Sequence, residues 1–489
     1  MMLPSLDRQG SLYTQLYRSI RSAILARTLL PEHRLPSTRD LAAEMGMSRN
    51  TVLQAYEQLL AEGYIESRLG AGTYVAAHSP DEALAVRKEV ARRAGESPRS
   101  SPRHLSEYAR RVLGAESASL KPADPKLRID FRYGAPNLQD FPADEWRALT
   151  AQRLRRLNKA SLMYAEPAGY LPLREAIVRY VREHRGITCS AADVIVVNGS
   201  QQALDIVARA LVDPGDRVLM ENPTYPGART AFQALGAKIE AVPVDGEGLD
   251  MQRVLRIQHR VKLAYVTPSH QFPTGGVMML SRRLAFLHWA HGSQAYVIED
   301  DYDSEYRYSG RPIEAIQSLD TFGQVIYLGT FSKILAPSLR LGYIIAPPAL
   351  TATLQRIKAV TDRHTSLVGQ EVLTEFIKSG QFERHMRRSR TRNAARRRAL
   401  LKALDKAFGD TVSVQGENAG LHVLLWFRDR PASQIDDIVQ RAAGKGIGVY
   451  SIAPYYSGTP PRAGLLLGYG SLDEVEVVAG INALAQALR

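Results

Sequence analysis

Residues 325–340 read VIYLGTFSKILAPSLR. The apolar, partly β-branched run from Val325 to Leu328 suits a buried strand. That strand passes into Gly329-Thr330-Phe331-Ser332-Lys333, so a lysine arrives at a strand end among small hydroxyl residues, and Arg340 follows seven positions later. A lysine in such a setting can form a Schiff base with an aldehyde cofactor. The arginine can grip a phosphate through two parallel hydrogen bonds. A lone lysine is ordinarily a solvated surface group; the neighbours of this one give it a chemical reading.

Upstream, VIVV at 194–197, RVLM at 217–220, LAYV at 263–266 and AYVI at 295–298 repeat the strand signal between helical patterns. Strand then helix, repeated, predicts an α/β fold with a mostly parallel sheet covered on both faces. In VVNGSQQA (196–203) a strand enters a helix through Gly199-Ser200, followed by Gln201. Backbone N–H groups at a helix start, helped by the Ser200 hydroxyl, form a natural phosphate site, although Gly-Ser is common at such turns. In VIEDDY (297–302) a strand delivers acids at its carboxyl end, where open α/β sheets bind ligands. A buried carboxylate there can keep a pyridine nitrogen protonated. Two rival readings stand beside this one. A calcium loop would need a glycine turn that Arg307 and Tyr308 do not supply, and the acids could also be simply solvated.

The N-terminal region has a different pattern. Leu12, Leu16, Ile20 and Ile24 recur at helical spacing. Ser37-Thr38-Arg39-Asp40 forms a capping box, in which Ser37 caps a helix carrying Leu41, Ala42 and Met45 and Asp40 reaches back. That helix ends at Gly46; Ser48 opens another with a buried stripe of Val52, Tyr56, Leu59 and Leu60, closed by Gly63. Two short helices joined by a tight turn after an earlier helix predict a helix-turn-helix. Residues 64–75, with Gly70 and Gly72 at the tip, read as a two-stranded wing. In that layout Ser48, Arg49, Asn50 and Thr51 begin the helix that enters the major groove. The alternative is a small helical bundle with a polar first turn.

Length and charge set the frame. At 489 residues the chain is long for one core. Apolar residues at 45% and charged residues at 23% are ordinary for a globular protein. The formal charge of +13 is not concentrated in the candidate DNA reader, since residues 1–77 carry 8 Lys/Arg against 7 Asp/Glu. Part of it lies in the arginine-rich run Arg384–Arg398, read either as a solvated helix face or as an auxiliary contact to DNA phosphates. A single cysteine, Cys189, excludes an internal disulfide framework and a zinc site of clustered thiolates, and no metal is expected. Neither a secretory signal nor a run of about 18 apolar residues is visible, so a cytoplasmic protein without a membrane span is expected. Composition divides the chain into a patterned segment 1–77, a linker 78–128 rich in Ser, Pro, Arg and Glu and at most partly helical, and a domain 129–489.

LPSTRDLAAEMGMSRNTVLQAYEQLLAEGYIESRLGAGTYV resembles the winged helix of GntR-family regulators. The resemblance implies Arg39, Arg49 and Thr51 as DNA contacts, with Gly70 and Gly72 letting the wing approach the minor groove. Leu53 stands where some members place a second base-reading arginine. From about residue 130 onward, GAPNLQDFP, GYLPLREAI, NGSQQALD, ENPTYPG, TPSHQFPTGG, EDDYDSEY and GTFSK followed by Arg340 occur in the order of fold-type I aminotransferases. That likeness implies a large and a small subdomain and pyridoxal 5'-phosphate (PLP). It makes Lys333 the internal-aldimine lysine and puts Asp300 on the pyridine nitrogen, Tyr302 on the 3'-oxygen and Tyr225 against the ring. Gly199, Ser200, Gln201, Thr330, Ser332 and Arg340 would hold the phosphate, and Tyr164 would reach the partner subunit's phosphate in a homodimer.

The pattern departs from working aminotransferases at three points. Phe272 replaces the usual Asn before the Pro-Thr-Gly turn, and Tyr302 follows Asp300 by two residues instead of three. The carboxylate-clamping arginine near the C-terminus has no clear counterpart, Arg462 being the nearest. SHQFPTG and EDDYDSEY resemble the MocR-type subgroup of GntR regulators, which carry this same fusion. The resemblance implies a transcription regulator that binds an operator in double-stranded DNA, senses PLP or an amino compound, and controls DNA binding or the meeting with RNA polymerase. The alternatives are an active aminotransferase tethered to a DNA-binding domain, and a regulator that has lost PLP. The presence of Lys333, Asp300 and Arg340 together speaks against the last.

Overall fold

The computed structural model describes residues 6, 7, 9–81, 105–115, 124–134, 136–157, 159, 162–308 and 313–489. The chain divides into two compact units, residues 1–105 and 106–489.

The first unit holds α1 (Leu12–Leu25), α2 (Thr38–Met45) and α3 (Arg49–Ala61), then an antiparallel ribbon of β1 (Ile65–Arg68) and β2 (Gly72–Val75). Leu16, Ile20 and Ile24 of α1 pack with Leu41, Val52, Ala55, Tyr56 and Leu59 in one core. Two expected core residues lie outside it. Leu12 is 52% exposed and Leu60 38% exposed. Positions 52, 55, 56 and 59 keep the three-and-four spacing of a single helix face, and residue 60 falls a further 100° around it. Ser37 and Ser48 accept from the backbone N–H of Asp40 and Thr51, at 3.2 and 3.1 Å. The Asp40 carboxylate accepts from the Ser37 hydroxyl (2.7 Å) instead of reaching the Ser37 backbone.

Of the segment read as a linker, residues 82–104 and 116–123 lie outside the described residues. Within it, Glu107–Gly114 is a helix capped by Ser106. Its Arg111 donates to the Ala234 carbonyl at the end of the helix Pro226–Ala234, at 2.9 Å, so this helix packs in the second unit.

The second unit is built on a sheet of eight strands. In chain order they are β4 (Val194–Val197), β5 (Arg217–Asn222), β6 (Lys238–Asp245), β7 (Gly248–Leu249), β8 (Leu263–Val266), β9 (Tyr296–Asp301), β10 (Val325–Thr330) and β11 (Gly342–Ile345). Their spatial order is β4-β11-β10-β9-β8-β5-β6-β7, and β5, β6, β8, β9 and β10 pair in parallel. All four residues of β4 are buried: Ile195 and Val197 pack with Leu204, Val207 and Phe232, while Val194 and Val196 face Leu173, Ile177 and Phe376. Both faces are therefore covered, which is why these strands read as unbroken apolar runs. The carboxyl ends of the parallel strands open on one side, and the candidate site lies there.

The arginine-rich run belongs to a 28-residue helix, Gln381–Phe408, leading into a smaller sheet. That sheet is ordered β12 (Val412–Gln415), β13 (His422–Phe427), β16 (Gly464–Gly468), β15 (Tyr450–Ser451). Nearby, β3 (Ile129–Asp130) pairs in parallel with β14 (Ile447–Gly448), so residues 129–131 start from the small domain before the chain enters the large one. Along the long helix, Arg392 and Arg396 pair with Asp140 at 2.6 and 2.9 Å, and Arg390 donates to the Glu305 carbonyl at 2.8 Å. Part of the basic run is thus spent on holding the domain together.

Candidate functional site

A cavity of about 410 Å³ opens at the strand ends and is lined from both domains. Lys333 projects into it from the turn after β10, and its Nζ donates to the Gly134 carbonyl at 2.6 Å. Gly134 has a φ of +75°, and a Cβ there would come within 2.7 Å of Nζ, so only glycine lets the lysine lie in this way. Burial lowers the Lys333 pKa, against the nearby charges of Asp303 and Asp300, which raise it. A lysine with a lowered pKa spends more of its time as the neutral, nucleophilic amine.

Across the cavity, Gly199 begins the helix Ser200–Leu211 with a φ of +84°. The Arg340 guanidinium lies 3.1 Å from where a Gly199 Cβ would stand and donates to the Asn198 carbonyl at 2.6 Å. A helix start, an arginine and the hydroxyls of Ser200, Thr330 and Ser332 thus line one end of the cavity. This arrangement suits a dianionic phosphate.

Strand pleat sorts the acids of EDDYD. Successive side chains on β9 point to opposite faces. Asp300 and Tyr302 face the cavity, whereas Asp301 lies 2.6 Å from the buried Arg185. Glu299 accepts from the backbone N–H groups of Ile316 and Gln317. These acids are buried, each with its own surroundings, which overturns the solvated reading. One Asp300 oxygen accepts from the Tyr265 hydroxyl at 2.7 Å; the other is buried with no partner among the described residues. Burial raises the Asp300 pKa to about 6, partly offset by the Tyr265 hydrogen bond. The two-residue step from Asp300 to Tyr302 is what a pleated strand needs to bring both to one face. Behind Tyr302, His270 Nδ1 lies 2.9 Å from its hydroxyl and 3.1 Å from both Asp303 oxygens.

Tyr225 lines the same cavity, edge-on to Phe272 with ring centroids 5.9 Å apart, and burial pushes its phenol up to about 12. Gln201 also lines it and donates to the Gly227 carbonyl at 3.1 Å. Phe272 is the hub of an aromatic cluster with Tyr133, Tyr302, Tyr455 and His422, and Trp426 belongs to the same packed group. Two residues lie apart from the cavity. Tyr164 is 80% exposed, near Arg363 and His364. Arg462 stacks over the Trp426 ring at 5.7 Å.

On the winged-helix unit, Arg39, Ser48, Arg49, Asn50, Gly70 and Gly72 are exposed and Thr51 is half-buried. The Ser48 and Thr51 hydroxyls bond to each other at 2.8 Å and Ser48 caps α3, so Arg49 and Asn50 offer the freer groups. Leu53 is 40% exposed on the same helix. On the wing, the Arg68 guanidinium packs over Tyr74 at 4.6 Å and pairs with Glu66.

Comparison with known families matches two models to the two units. Residues 12–75 match the bacterial regulatory proteins of the gntR family, and residues 129–457 match aminotransferase class I and II. The chain is 38% identical over 490 residues to the "Probable rhizopine catabolism regulatory protein MocR" of Rhizobium meliloti, covering 100% of this chain and 96% of that protein. The chain belongs to the MocR-type GntR regulators. Another relative, the pyridoxine biosynthesis transcriptional regulator PdxR of Corynebacterium glutamicum, is 32% identical over 95% of this chain and 93% of its own length. Among solved structures, the α-aminoadipate aminotransferase LysN of Thermus thermophilus, complexed with N-(5'-phosphopyridoxyl)-L-leucine, superposes with a TM-score of 0.70. It is 28% identical and covers 78% of this chain and 97% of its own.

For this MocR-type chain, sequence reasoning passed over several residues that line the cavity: Arg132, Tyr133, Tyr265, Asp303 and His422. Tyr265 and Asp303 had a usable signal, since each lies at or just past the carboxyl end of an apolar strand. Arg132 and His422 come from segments far away in sequence and had none. No helix among the described residues is long and apolar enough to cross a membrane.

Proposed function

We propose that this chain is a PLP-binding transcription regulator that reads an operator in double-stranded DNA through its winged helix. Its aminotransferase-like domain senses PLP or an amino compound and thereby controls operator binding or the meeting with RNA polymerase. The observation that carries the reading is the buried, unpartnered oxygen of Asp300 in the same cavity as Lys333. A protonated pyridine nitrogen completes such a carboxylate, and an unmet buried charge is otherwise costly.

The donor set fits the rest of PLP. Arg340, Gly199, Ser200 and Gln201, with Thr330 and Ser332, suit the phosphate; Tyr225 suits the ring face and Tyr302 the 3'-oxygen. When bound, PLP supplies an aldehyde that condenses with primary amines, together with an electron-withdrawing ring. Lys333 supplies the amine, Asp300 holds the ring's proton in place, and the aromatic cluster around Phe272 keeps water away. Exposed Tyr164 is assigned to the phosphate site of a second subunit in a homodimer. Arg39, Arg49 and Asn50, supported by Ser48 and Thr51, would meet DNA, with Gly70 and Gly72 at the wing tip.

The test is borohydride reduction of the PLP-incubated protein followed by peptide mass spectrometry. The pyridoxyl group is expected on Lys333 and absent from Lys333→Ala; finding it on another lysine overturns the assignment. Light scattering should give the mass of a dimer.

A further inference from the structure

We propose that His270 is a positioning residue: held by Asp303, it occupies a lone pair of the Tyr302 hydroxyl and so turns that hydroxyl's proton into the cavity, toward the 3'-oxygen of PLP. The inference rests on the reading of the Lys333 cavity as a PLP site, and it adds what sets the direction of one hydrogen bond there.

His270 stands behind the cavity wall, in the loop after β8, and is 2% exposed, as is Asp303. Its Nδ1 faces three oxygens: both carboxylate oxygens of Asp303 at 3.1 Å and the Tyr302 hydroxyl at 2.9 Å. A carboxylate offers only lone pairs. An Nδ1 lone pair would therefore meet the lone pairs of two buried oxygens, with no bond to compensate. A hydrogen on Nδ1 meets the carboxylate and the tyrosine oxygen together. Nothing draws that hydrogen to the far side of the ring, since Nε2 is buried without a partner among the described residues. The carboxylate thereby selects the tautomer.

The consequence falls on Tyr302. Its oxygen faces a donor, so its own hydrogen cannot lie along the line to His270. That ring is the hydroxyl's one hydrogen-bond partner among the described residues, and Tyr302 lines the cavity. Burial holds the phenol well above its ordinary range, with Asp303, Asp300, Glu221 and Asp301 adding to the rise, so the hydrogen is retained. Phe272, edge-on to the Tyr302 ring with centroids 5.5 Å apart, brings no donor. The hydroxyl is what this wall offers to an oxygen anion.

The surroundings keep the pair in place. His422 lies beside His270 with ring centroids 5.3 Å apart, its Nε2 3.2 Å from the Pro273 carbonyl. Burial pushes the His422 pKa down to about 3, so it adds no charge next to His270. On another side the backbone of Gly420 closes in, where a Cβ would collide with the His270 ring edge and the Asp303 carboxylate.

The experiment follows the visible band of PLP-loaded full-length protein as pH is varied. The band changes when the proton shared between the 3'-oxygen and the Lys333 nitrogen leaves; a donor on that oxygen eases the loss and lowers the midpoint. Tyr302→Phe is expected to raise the midpoint by about one pH unit or more. His270→Leu should raise it by part of that amount. His270→Asn, whose amide nitrogen can donate from the place of Nδ1, should stay near wild type. Tyr302→Phe and His270→Leu together should lie no higher than Tyr302→Phe alone, whereas an unpaired Asp303 acting by charge would carry the double variant higher. An unmoved midpoint in His270→Leu overturns the proposal, as does an equal shift in the Leu and Asn variants or a further rise in the double variant. Neutron diffraction from deuterated wild-type crystals reads the same point without a variant. The deuteron is expected on His270 Nδ1, with that of Tyr302 turned away from it; a deuteron on Nε2 alone overturns the proposal. Failure of the underlying reading looks different: wild-type protein with PLP then shows no visible band that Lys333→Ala removes.

Discussion

Glu221 lies one residue before the end of β5, with 1% of its surface exposed. One carboxylate oxygen accepts from the Thr267 N–H and hydroxyl at 3.1 and 2.6 Å; the other is buried without a partner among the described residues. Burial raises its pKa from 4.5 to about 7, against those hydrogen bonds, which lower it. A carboxyl whose folded pKa is raised favours the fold while protonated. Its contribution is full below about pH 4.5 and is lost as pH rises through about 7. Glu221→Gln keeps an oxygen for Thr267 and puts an NH2 group where the unpartnered oxygen stood. The variant's melting temperature in the PLP-free protein should therefore change less than the wild type's between about pH 5 and pH 7.5; superimposable profiles would count against this account. Glu221 also marks what was legible at this scale. Lys333, Asp300 and Arg340 announce themselves because strand, turn and charged residue are consecutive. Glu221 is held by neighbours that only the folded chain supplies, and no local spacing carries that information.

At the scale of elements, α1 makes a sharp contrast. Leu16 is fully buried and Leu12 is 52% exposed, although both lie on the same apolar spacing. Leu16→Ala should cost the winged-helix unit about 2–5 kcal/mol, the range for emptying a core leucine site. Leu12→Ala should stay within about 0.5 kcal/mol, as surface changes usually do. Urea unfolding followed by the unit's helical signal separates the two. For α3, Arg49→Ala should weaken specific operator binding by roughly 1–3 kcal/mol and leave the cofactor spectrum unchanged. A gel-shift titration beside an absorbance scan tests both halves of that statement. The strands of the large sheet were readable because burial on both faces makes them uniformly apolar. The direction of β11 was not: GYII at 342–345 looks like its parallel neighbours, yet the short connection from β10 allows only antiparallel return. Leu60 failed for a related reason, since periodicity gives a face only to within a residue and the fold chooses its centre.

For the whole molecule, an effector in the cavity can alter operator binding only through a difference in its affinity for two arrangements of the protein. That coupling is reciprocal: operator DNA must change effector affinity by the factor by which effector changes operator affinity, commonly about 1–3 kcal/mol. Two titrations of an amine effector, with and without operator, read this at the cofactor band. Equal effector affinities with and without operator, beside an altered transcript level, would overturn the two-state account and move control to the encounter with RNA polymerase.

All three tryptophans, Trp146, Trp289 and Trp426, belong to the C-terminal unit, and Trp426 is packed into the aromatic group beside the cavity. The winged helix is therefore dark in tryptophan emission, and the aminotransferase-like domain carries the whole signal. A cofactor that absorbs where indole emits should quench Trp426, so the protein has an occupancy gauge that needs no label. When operator is added to loaded protein, a change in that emission is light coming only from the sensing domain. A steady emission with DNA bound means that the message stops before reaching it.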